Sequence, residues 1–275
     1  MQTTEEKKTK LREFFRNYCC QDVCVAFSGG VDSGLVLAMA CEAAKEAGTK
    51  VLAVTMDTVL HPAADLDAAR KALKDTEAEH AVLHLDELSV PEILYNPADR
   101  CYLCKKELYS RMQAFAQERG IRILLEGSNE DDLHVYRPGL KAIRELGVKS
   151  PLAEAGLTKK EVRKLAAEYG LSAADRPSAP CLATRLPYGT KIDMELLARI
   201  DQAETWLRDF GWKNVRLRVH GDIVRLEIDK ESFDSVLRQA DVITARLKEL
   251  GFIYITLDLE GFRSGSMDVN LVPLG

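Results

Sequence analysis

Short apolar runs and longer segments of helical spacing alternate along the first two-thirds of the chain. The apolar runs predict strands at Val23–Phe27, Lys50–Met56, Ala81–Leu85 and Arg122–Glu126. The segments between and after them predict helices at Leu35–Ala47, Ala64–Glu79, Cys101–Arg119 and Lys159–Tyr169. Strands and helices in this order indicate an α/β fold with a doubly wound parallel sheet of Rossmann-like type, whose ligands bind at the carboxyl ends of the strands.

The chain changes character after a proline-rich stretch at residues 171–187, which predicts a linker. The remaining elements are predicted to be a helix, a two-stranded hairpin, a second helix and a last strand. Their ranges are Asp193–Phe210, Val215–His220 with Ile223–Ile228, Phe233–Leu250 and Tyr254–Leu259. We therefore expect two domains, an α/β domain of residues 1–180 and a smaller one of residues 181–275 that consists of the linker and an α+β module.

Composition narrows the class of protein. Hydrophobic residues make up 46% of the chain and charged residues 29%, as in ordinary soluble proteins. No apolar run approaches the roughly 20 residues that span a bilayer, and the N-terminus lacks a secretory pattern, so we expect a cytoplasmic protein without membrane contact. The net charge of −5 gives no support for the basic face with which proteins bind nucleic acid.

A glycine-rich segment joins the first predicted strand to the first predicted helix. Its residues are Ser28, Gly29, Gly30, Val31, Asp32 and Ser33. Adjacent glycines let main-chain N–H groups converge at a helix N-terminus, where the helix dipole favours a phosphate. Asp32 would repel that phosphate unless a divalent cation lay between them, and Mg²⁺ is the natural candidate. The alternative is a glycine turn before an ordinary helix.

The Ser28–Ser33 segment resembles the SGGxDS signature of the PP-loop ATP pyrophosphatases, which bind the β,γ-pyrophosphate of ATP in this loop. The resemblance implies that ATP is cleaved to AMP and that AMP is transferred to a carboxylate or carbonyl oxygen. After the fourth predicted strand, Glu126–Asp132 resembles a G-x-N-x-D-D stretch of the same family, so Gly127 and Asn129 are candidate ATP-binding residues. An acidic surface loop is the alternative for this stretch.

The seven cysteines divide into two groups. The group that lies in or beside apolar segments, and that we interpret as structural thiols, consists of Cys19, Cys20, Cys24 and Cys41. In the second group, Cys101 and Cys104 form a C-x-x-C at a helix start and Cys181 lies in the linker. Three thiolates are one short of a structural zinc site but suit a 4Fe–4S cluster with one open iron. Redox-active or structural thiols are the alternative.

Longer stretches extend the resemblance over nearly the whole chain. Residues 132–171, 180–192, 215–228 and 251–265 are similar to the LarE family, which makes the organic part of a nickel-pincer nucleotide cofactor. The resemblance implies ATP-dependent sulfur insertion, in which carboxylates of pyridinium-3,5-biscarboxylic acid mononucleotide are adenylated and converted to thiocarboxylates. It also implies a homo-oligomer, a hexamer, assembled through the C-terminal module.

The family uses two sulfur sources, and this chain has the residues for both. One type sacrifices a single cysteine, which corresponds to Cys181. The other holds a 4Fe–4S cluster on three cysteines, which correspond to Cys101, Cys104 and Cys181, and passes on a sulfide attached to the open iron. Because all three thiols are present, the cluster type is our hypothesis.

The same resemblance indicates residues that bind the substrate. Arg216 and Arg218 alternate on one face of a predicted strand, so both guanidinium groups are expected to bind the nucleotide phosphate. Arg185 and Glu204 are further candidates. An exposed basic strand face is the alternative for the two strand arginines.

Three other functions are compatible with a PP-loop. A tRNA thiolase of this class also combines the loop with a three-cysteine cluster, but it requires a basic flank that the acidic net charge does not favour. An amide-forming ligase needs an ammonia source such as a glutaminase domain, and this chain encodes none. A nucleotide sensor without catalytic activity is the third.

Overall fold

The computed structural model describes residues 3–61, 64–73, 76–134, 137–171 and 181–268, and these form two compact units. The first contains the described residues of Met1–Val59, Ala63–Ser89 and Asp99–Ser178. The second contains those of Leu60–Pro62, Val90–Ala98 and Ala179–Gly275. None of the described helices is long and apolar enough to cross a lipid bilayer.

The first unit is a four-stranded parallel sheet between helices. Its strands are β1 (Val23–Ala26), β2 (Val51–Thr58), β3 (Glu79–Leu85) and β4 (Ile123–Leu125). Its helices are α1 (Thr4–Tyr18), α2 (Val31–Ala47), α3 (Ala64–Ala72), α4 (Arg100–Gln117), α5 (Gly139–Glu145), α6 (Pro151–Glu154) and α7 (Lys159–Glu168). The strand order β3-β2-β1-β4 puts β1 and its following loop in the centre of the sheet, which confirms the predicted fold class.

Both faces of this sheet are covered, because β1 and β2 carry apolar side chains on both sides. Val23, Val25 and Ala53 pack with α2 in one core. Cys24 and Val54 pack with α4 in the core of the opposite face. Two layers of helices therefore hold the strand ends in fixed positions.

The second unit contains a three-stranded sheet. Its elements are α8 (Met194–Arg208), β5 (Val215–His220), β6 (Ile223–Ile228), α9 (Phe233–Arg238), α10 (Ala240–Glu249) and β7 (Tyr254–Leu257). Strands β5 and β6 are antiparallel, whereas β6 and β7 are parallel. Helix α8 lies against β5, burying Leu197, Ile200 and Leu207 at helical spacing.

A short segment from the first two-thirds of the sequence also belongs to the second unit. Asn96 is fully buried and has a left-handed φ of 48°. Its side-chain amide donates hydrogen bonds to the carbonyl oxygens of Leu186 (3.1 Å) and Pro187 (2.8 Å), and its own carbonyl oxygen accepts one from the N–H of Gly189. Asparagine suits this position because it tolerates left-handed backbone better than most residues.

Some predicted elements are wrong in their boundaries. The helix predicted at Ala64–Glu79 ends at Ala72, and Glu79 instead begins β3, where it is the register partner of Leu52. The single helix predicted at Phe233–Leu250 is broken at Gln239 into α9 and α10. Of the predicted linker, residues 172–180 lie outside the described residues.

Candidate active site

The loop between β1 and α2 is closed by its two serines. Gly29 takes a left-handed φ of 73°, which favours glycine, and Gly30 precedes the first turn of α2 in extended conformation. The hydroxyl oxygens of Ser28 and Ser33 lie 3.1 Å apart, and the Ser33 hydroxyl also accepts the N–H of Ser28 at 3.2 Å. As predicted from the sequence, the loop presents the N-terminus of a long helix beside the centre of the sheet.

The segment after β4 packs directly on this loop. A Cβ atom built on Gly127 would lie 2.8 Å from the main-chain nitrogen of Ser33 and 3.0 Å from the carbonyl carbon of Asp32, so only glycine fits there. The side-chain amide of Asn129 donates to a carboxylate oxygen of Asp32 at 3.3 Å. The structure therefore brings the two predicted segments together.

A buried glutamate holds this second segment in place. Glu126 is 3% exposed and accepts hydrogen bonds from the hydroxyl groups of Ser128, at 2.8 Å, and Ser150. The carbonyl oxygen of Ser128 accepts the N–H of Ala153 at 3.1 Å, so both sides of the segment are tied to the start of α6. These main-chain and side-chain hydrogen bonds together fix the position of Gly127 against the loop.

Lys159 completes the site and was missed in the sequence. Its ammonium group forms an ion pair with the Asp32 carboxylate. Lys159 is the first residue of α7, where its main-chain N–H donates to Asp131 at 2.9 Å. The ion pair joins residues 127 positions apart in the chain, so local sequence patterns cannot predict it.

A capping box fixes the start of α7, and the sequence T-K-K-E at residues 158–161 is typical of that motif. Thr158 and Glu161 exchange the two hydrogen bonds of the box, and Glu161 also forms an ion pair with Lys7 at 2.8 Å. Although burial would raise the pKa of Glu161, these partners lower it to about 2. The capping box and the ion pair with Lys7 therefore hold the helix end from which Lys159 contacts Asp32.

The C-x-x-C thiols lie near the start of α4 and contact charged, buried side chains. Cys101 is exposed, and its sulfur accepts a hydrogen bond from the guanidinium group of Arg100 at 3.5 Å. Cys104 is half-buried and donates to the carboxylate of Glu87 at 4.0 Å. Arg100 and Glu87 are only 2% and 1% exposed. Sequence reasoning missed both of them.

The third candidate thiol, Cys181, belongs to the second unit, where it precedes a short 3₁₀ turn at Leu182–Arg185. It is half-buried, and none of the seven cysteines forms a disulfide bond. Within the described part of the chain, no set of three His, Cys, Asp or Glu side chains is close enough to hold a metal ion.

The predicted substrate-binding residues of the second unit form a buried charged cluster. Arg185 and Glu204, 1% and 0% exposed, make two parallel hydrogen bonds of 2.8 Å each. Glu204 also accepts the main-chain N–H of Leu217 at 2.9 Å. Burial alone would raise the pKa of Glu204, but Arg185 and this N–H hold it below its usual value.

The two strand arginines lie in the same cluster. Arg218 pairs with buried Glu227 at 3.1 Å, and the guanidinium group of Arg216 lies over the ring of Phe262. Burial and the nearby charge of Arg185 lower the pKa of Arg216 to about 10. Because both arginines are buried, the exposed basic strand face that was the alternative is wrong.

Comparison with known proteins agrees with the geometry of the first unit. The model of the PP-loop domain family matches residues 3–135. The pyridinium-3,5-bisthiocarboxylic acid mononucleotide synthase of Lactiplantibacillus plantarum is 38% identical over 98% of this chain and 97% of its own length. Uncharacterised proteins of Synechocystis sp. and Methanocaldococcus jannaschii are 35% and 28% identical, over 96% and 94% of this chain and 97% and 96% of their own. The chain belongs to the LarE family of PP-loop proteins.

Proposed function

We propose that this protein is an AMP-forming, ATP-dependent sulfurtransferase. It adenylates the carboxylates of pyridinium-3,5-biscarboxylic acid mononucleotide and converts them to thiocarboxylates. The observation that carries the proposal is the closed loop at the N-terminus of α2, which Gly127 and Asn129 complete and whose Asp32 is paired with Lys159. The similarity to a synthase of the bisthiocarboxylic acid product supports the choice of substrate.

The loop would bind the β and γ phosphates of ATP. The first-turn N–H groups of α2 and the hydroxyl groups of Ser28 and Ser33 are donors suited to phosphate oxygens. With the outer phosphates held, the α phosphorus is exposed to an incoming carboxylate oxygen, and pyrophosphate leaves as the Pα–O bond to the substrate forms. A sulfur nucleophile at the oxidation level of sulfide then attacks the carbonyl carbon of the acyl adenylate, and AMP leaves with the former carboxylate oxygen.

Asp32 and Lys159 fit the charge balance that this step needs. Mg²⁺ takes one or two protein carboxylates together with phosphate oxygens, so Asp32 is a suitable protein ligand for a Mg²⁺ that arrives with ATP. When Asp32 binds the cation, the Lys159 ammonium group becomes available to the phosphates. Mg²⁺ held by Asp32 would supply positive charge to the departing pyrophosphate, and the Lys159 ammonium group would add a second positive charge there.

The donor set near α4 fits a 4Fe–4S cluster in part. Cys101 and Cys104 lie three residues apart in α4 and form no disulfide bond, and Arg100 donates an N–H to the Cys101 sulfur, as donors around cluster ligands do. Cys181 would be the third ligand. When bound, such a cluster would leave one iron open for an extra sulfide. The alternative source is the sulfur of Cys181 itself.

The second unit would bind the nucleotide substrate. Residues 1–180 would then act on ATP, and residues 181–275 would bind the substrate. Arg216 and Arg218 are candidates for the phosphate, because buried guanidinium groups bind phosphate strongly. Arg185 and Glu204 would hold these arginines in position, since this ion pair lies in the same buried cluster. Homohexamer formation through this module stays a prediction.

The test is product analysis with the purified protein, the pyridinium dicarboxylate nucleotide and radiolabelled ATP. We expect AMP and pyrophosphate, and we expect Lys159→Met to raise the Kd for ATP about ten-fold or more, as for a lost charge-assisted hydrogen bond. Lys160→Met, which removes the adjacent exposed lysine, is the matched control. Formation of ADP, or turnover with tRNA and not with the nucleotide, would contradict the proposal.

Iron analysis and mass spectrometry separate the two sulfur sources. Anaerobically purified protein of the cluster type should contain about four iron atoms per chain and keep its mass after turnover. Protein without iron that loses the mass of H₂S at Cys181 would instead be of the sacrificial type.

A further inference from the structure

A polar row lies on a face of the sheet that is otherwise apolar. Along β2, Val51 and Ala53 point into the core that α2 and α3 cover, and strand alternation puts Thr55 and Asp57 on the same face. The hydroxyl oxygen of Thr55 is hydrogen-bonded to the Nε2 atom of His80 at 3.0 Å. Strands covered on both faces usually carry apolar residues, so these polar residues are an exception.

The last pair of this row projects from the carboxyl end of the sheet. Asp57 and His84 are register partners on β2 and β3, and the Nδ1 atom of His84 lies 2.7 Å from a carboxylate oxygen of Asp57. The side chains are 37% and 73% exposed, respectively. Neither residue takes part in the loop that would hold the phosphates.

Strand geometry places this pair level with the phosphate loop. The last residue of β1, Ala26, is the register partner of Val54, and Asp57 lies beyond Val54 by about 10 Å at roughly 3.3 Å per residue. Neighbouring strands are about 4.8 Å apart, so β2 and β3 lie about 5 Å and 10 Å to one side of β1. A nucleotide anchored after β1 can therefore reach the pair.

The other side of β1 is closed. On the β4 side, the main chain at Gly127 touches Ser33 and Asp32 so closely that a Cβ atom would not fit. The nucleoside end of a nucleotide whose outer phosphates sit in the loop must then extend towards β2 and β3. The group that follows the phosphates in that direction is the ribose.

We propose that Asp57, held in position by His84, binds the ribose hydroxyl groups of ATP. This rests on the proposed binding of ATP phosphates by the loop. A carboxylate has several acceptor sites, so Asp57 can keep the bond to His84 and still accept from a hydroxyl group. An acidic residue at a strand end binds the ribose in dinucleotide-binding folds of similar topology, and the analogy supports the chemistry.

The test compares ATP with its deoxy analogues by equilibrium binding to the full-length protein. For the wild type, we expect 2′-deoxy-ATP or 3′-deoxy-ATP to bind about ten-fold more weakly than ATP, as for the loss of one hydrogen bond to a charged group. Asp57→Ala should weaken ATP binding to the same extent and abolish the preference for the ribose hydroxyl. Asp57→Asn and His84→Ala should reduce the preference in part, and Asp222→Ala, which removes an exposed carboxylate from the other unit, should leave it intact.

A merely structural role would not produce this pattern. Equal loss of affinity for ATP and for both deoxy analogues in Asp57→Ala would overturn the ribose site, as would a wild type that binds all three equally. In either case ATP binding would persist and the phosphate loop would stand. Failure of the wild type to bind ATP at all would overturn both proposals.

Discussion

Replacing Gly127 by alanine tests whether the contact between the two ATP-binding segments is as tight as the geometry states. The added Cβ atom would lie 2.8 Å from the nitrogen of Ser33 and 3.0 Å and 3.1 Å from two atoms of Asp32. Two of these three neighbours are main-chain atoms of the first turn of α2, which cannot rotate away as a flexible side chain can. The segment or the helix end must therefore move.

The cost follows from overpacking. Inserting a methyl group into a filled site destabilises a protein by about 1–3 kcal/mol, which corresponds to a Tm lower by a few to about ten degrees in a chain of this size. Movement at this point also displaces Asn129 and Asp32, so we expect ATP binding to weaken about ten-fold or more. Thermal unfolding and equilibrium ATP binding measure the two effects.

Gly34→Ala is the matched control. Gly34 directly follows Ser33 in α2, and its added Cβ would meet nothing closer than a side-chain methyl of Leu171 at 3.7 Å. Since alanine favours helix, this variant should be as stable as the wild type or more stable by up to about 1 kcal/mol. Wild-type stability and wild-type ATP affinity in Gly127→Ala would refute the proposed close contact.

Three further predictions concern stability and thiol reactivity. The pKa of Glu161 is about 2 in the folded protein against a usual 4.5, so its carboxylate should contribute up to about 3 kcal/mol to the free energy of unfolding. This contribution is present above pH 4.5 and is lost as the pH falls towards 2. Glu161→Gln should therefore reduce the difference in urea midpoint between about pH 5 and about pH 3. Glu204→Gln leaves the buried guanidinium of Arg185 facing a neutral amide, and should cost about 3–5 kcal/mol in urea unfolding. Because burial raises the pKa of Cys24 to about 12, only about one molecule in 10⁴ carries its thiolate at pH 8, and iodoacetamide should modify exposed Cys101 before Cys24 in cluster-free protein, as measured by peptide mass spectrometry.

Each of these has its own control. An exposed acid, Glu5→Gln, should leave the acid sensitivity unchanged, and equal sensitivity in Glu161→Gln and wild type would contradict the first prediction. Glu249→Gln breaks an exposed ion pair and should cost less than about 1 kcal/mol; a similar cost for Glu204→Gln would contradict the second. In urea, Cys24 and Cys101 should react alike, and equal rates in the folded protein would contradict the third.

The elements that sequence predicted best are those whose pattern and packing agree. Strands β5 and β6 begin and end where alternation placed them, with Gly221 at a left-handed φ of 61° in the turn between them. The region of α9 and α10 was predicted as one helix because its apolar spacing continues through Gln239. In the fold, Val236 and Ile243 are buried on the two pieces while Leu237 and Val242 are exposed, so the burial pattern depends on the bend.

The candidate site was predictable only as far as it is local. The loop at Ser28–Ser33 is a continuous segment between a strand and a helix, and Gly127 and Asn129 follow β4, the strand paired with β1. Lys159 depends on where α7 begins in space relative to Asp32, which no spacing encodes. The same holds for Arg100 and Glu87, whose ordinary place for a charged residue is the protein surface and whose burial beside the thiols appears only in the fold.

The buried side chain of Asn96 has a practical consequence for dissecting this protein. A fragment cut after residue 180 would retain Asn96 but lose the carbonyl oxygens of Leu186 and Pro187 that its amide donates to, and the segment around Asn96 would lose most of the unit to which it belongs. Expression of the N-terminal piece alone should therefore give an insoluble or partly unfolded product. Biochemists who wish to study the two halves separately would do better to supply them together in one cell and ask whether they reassemble.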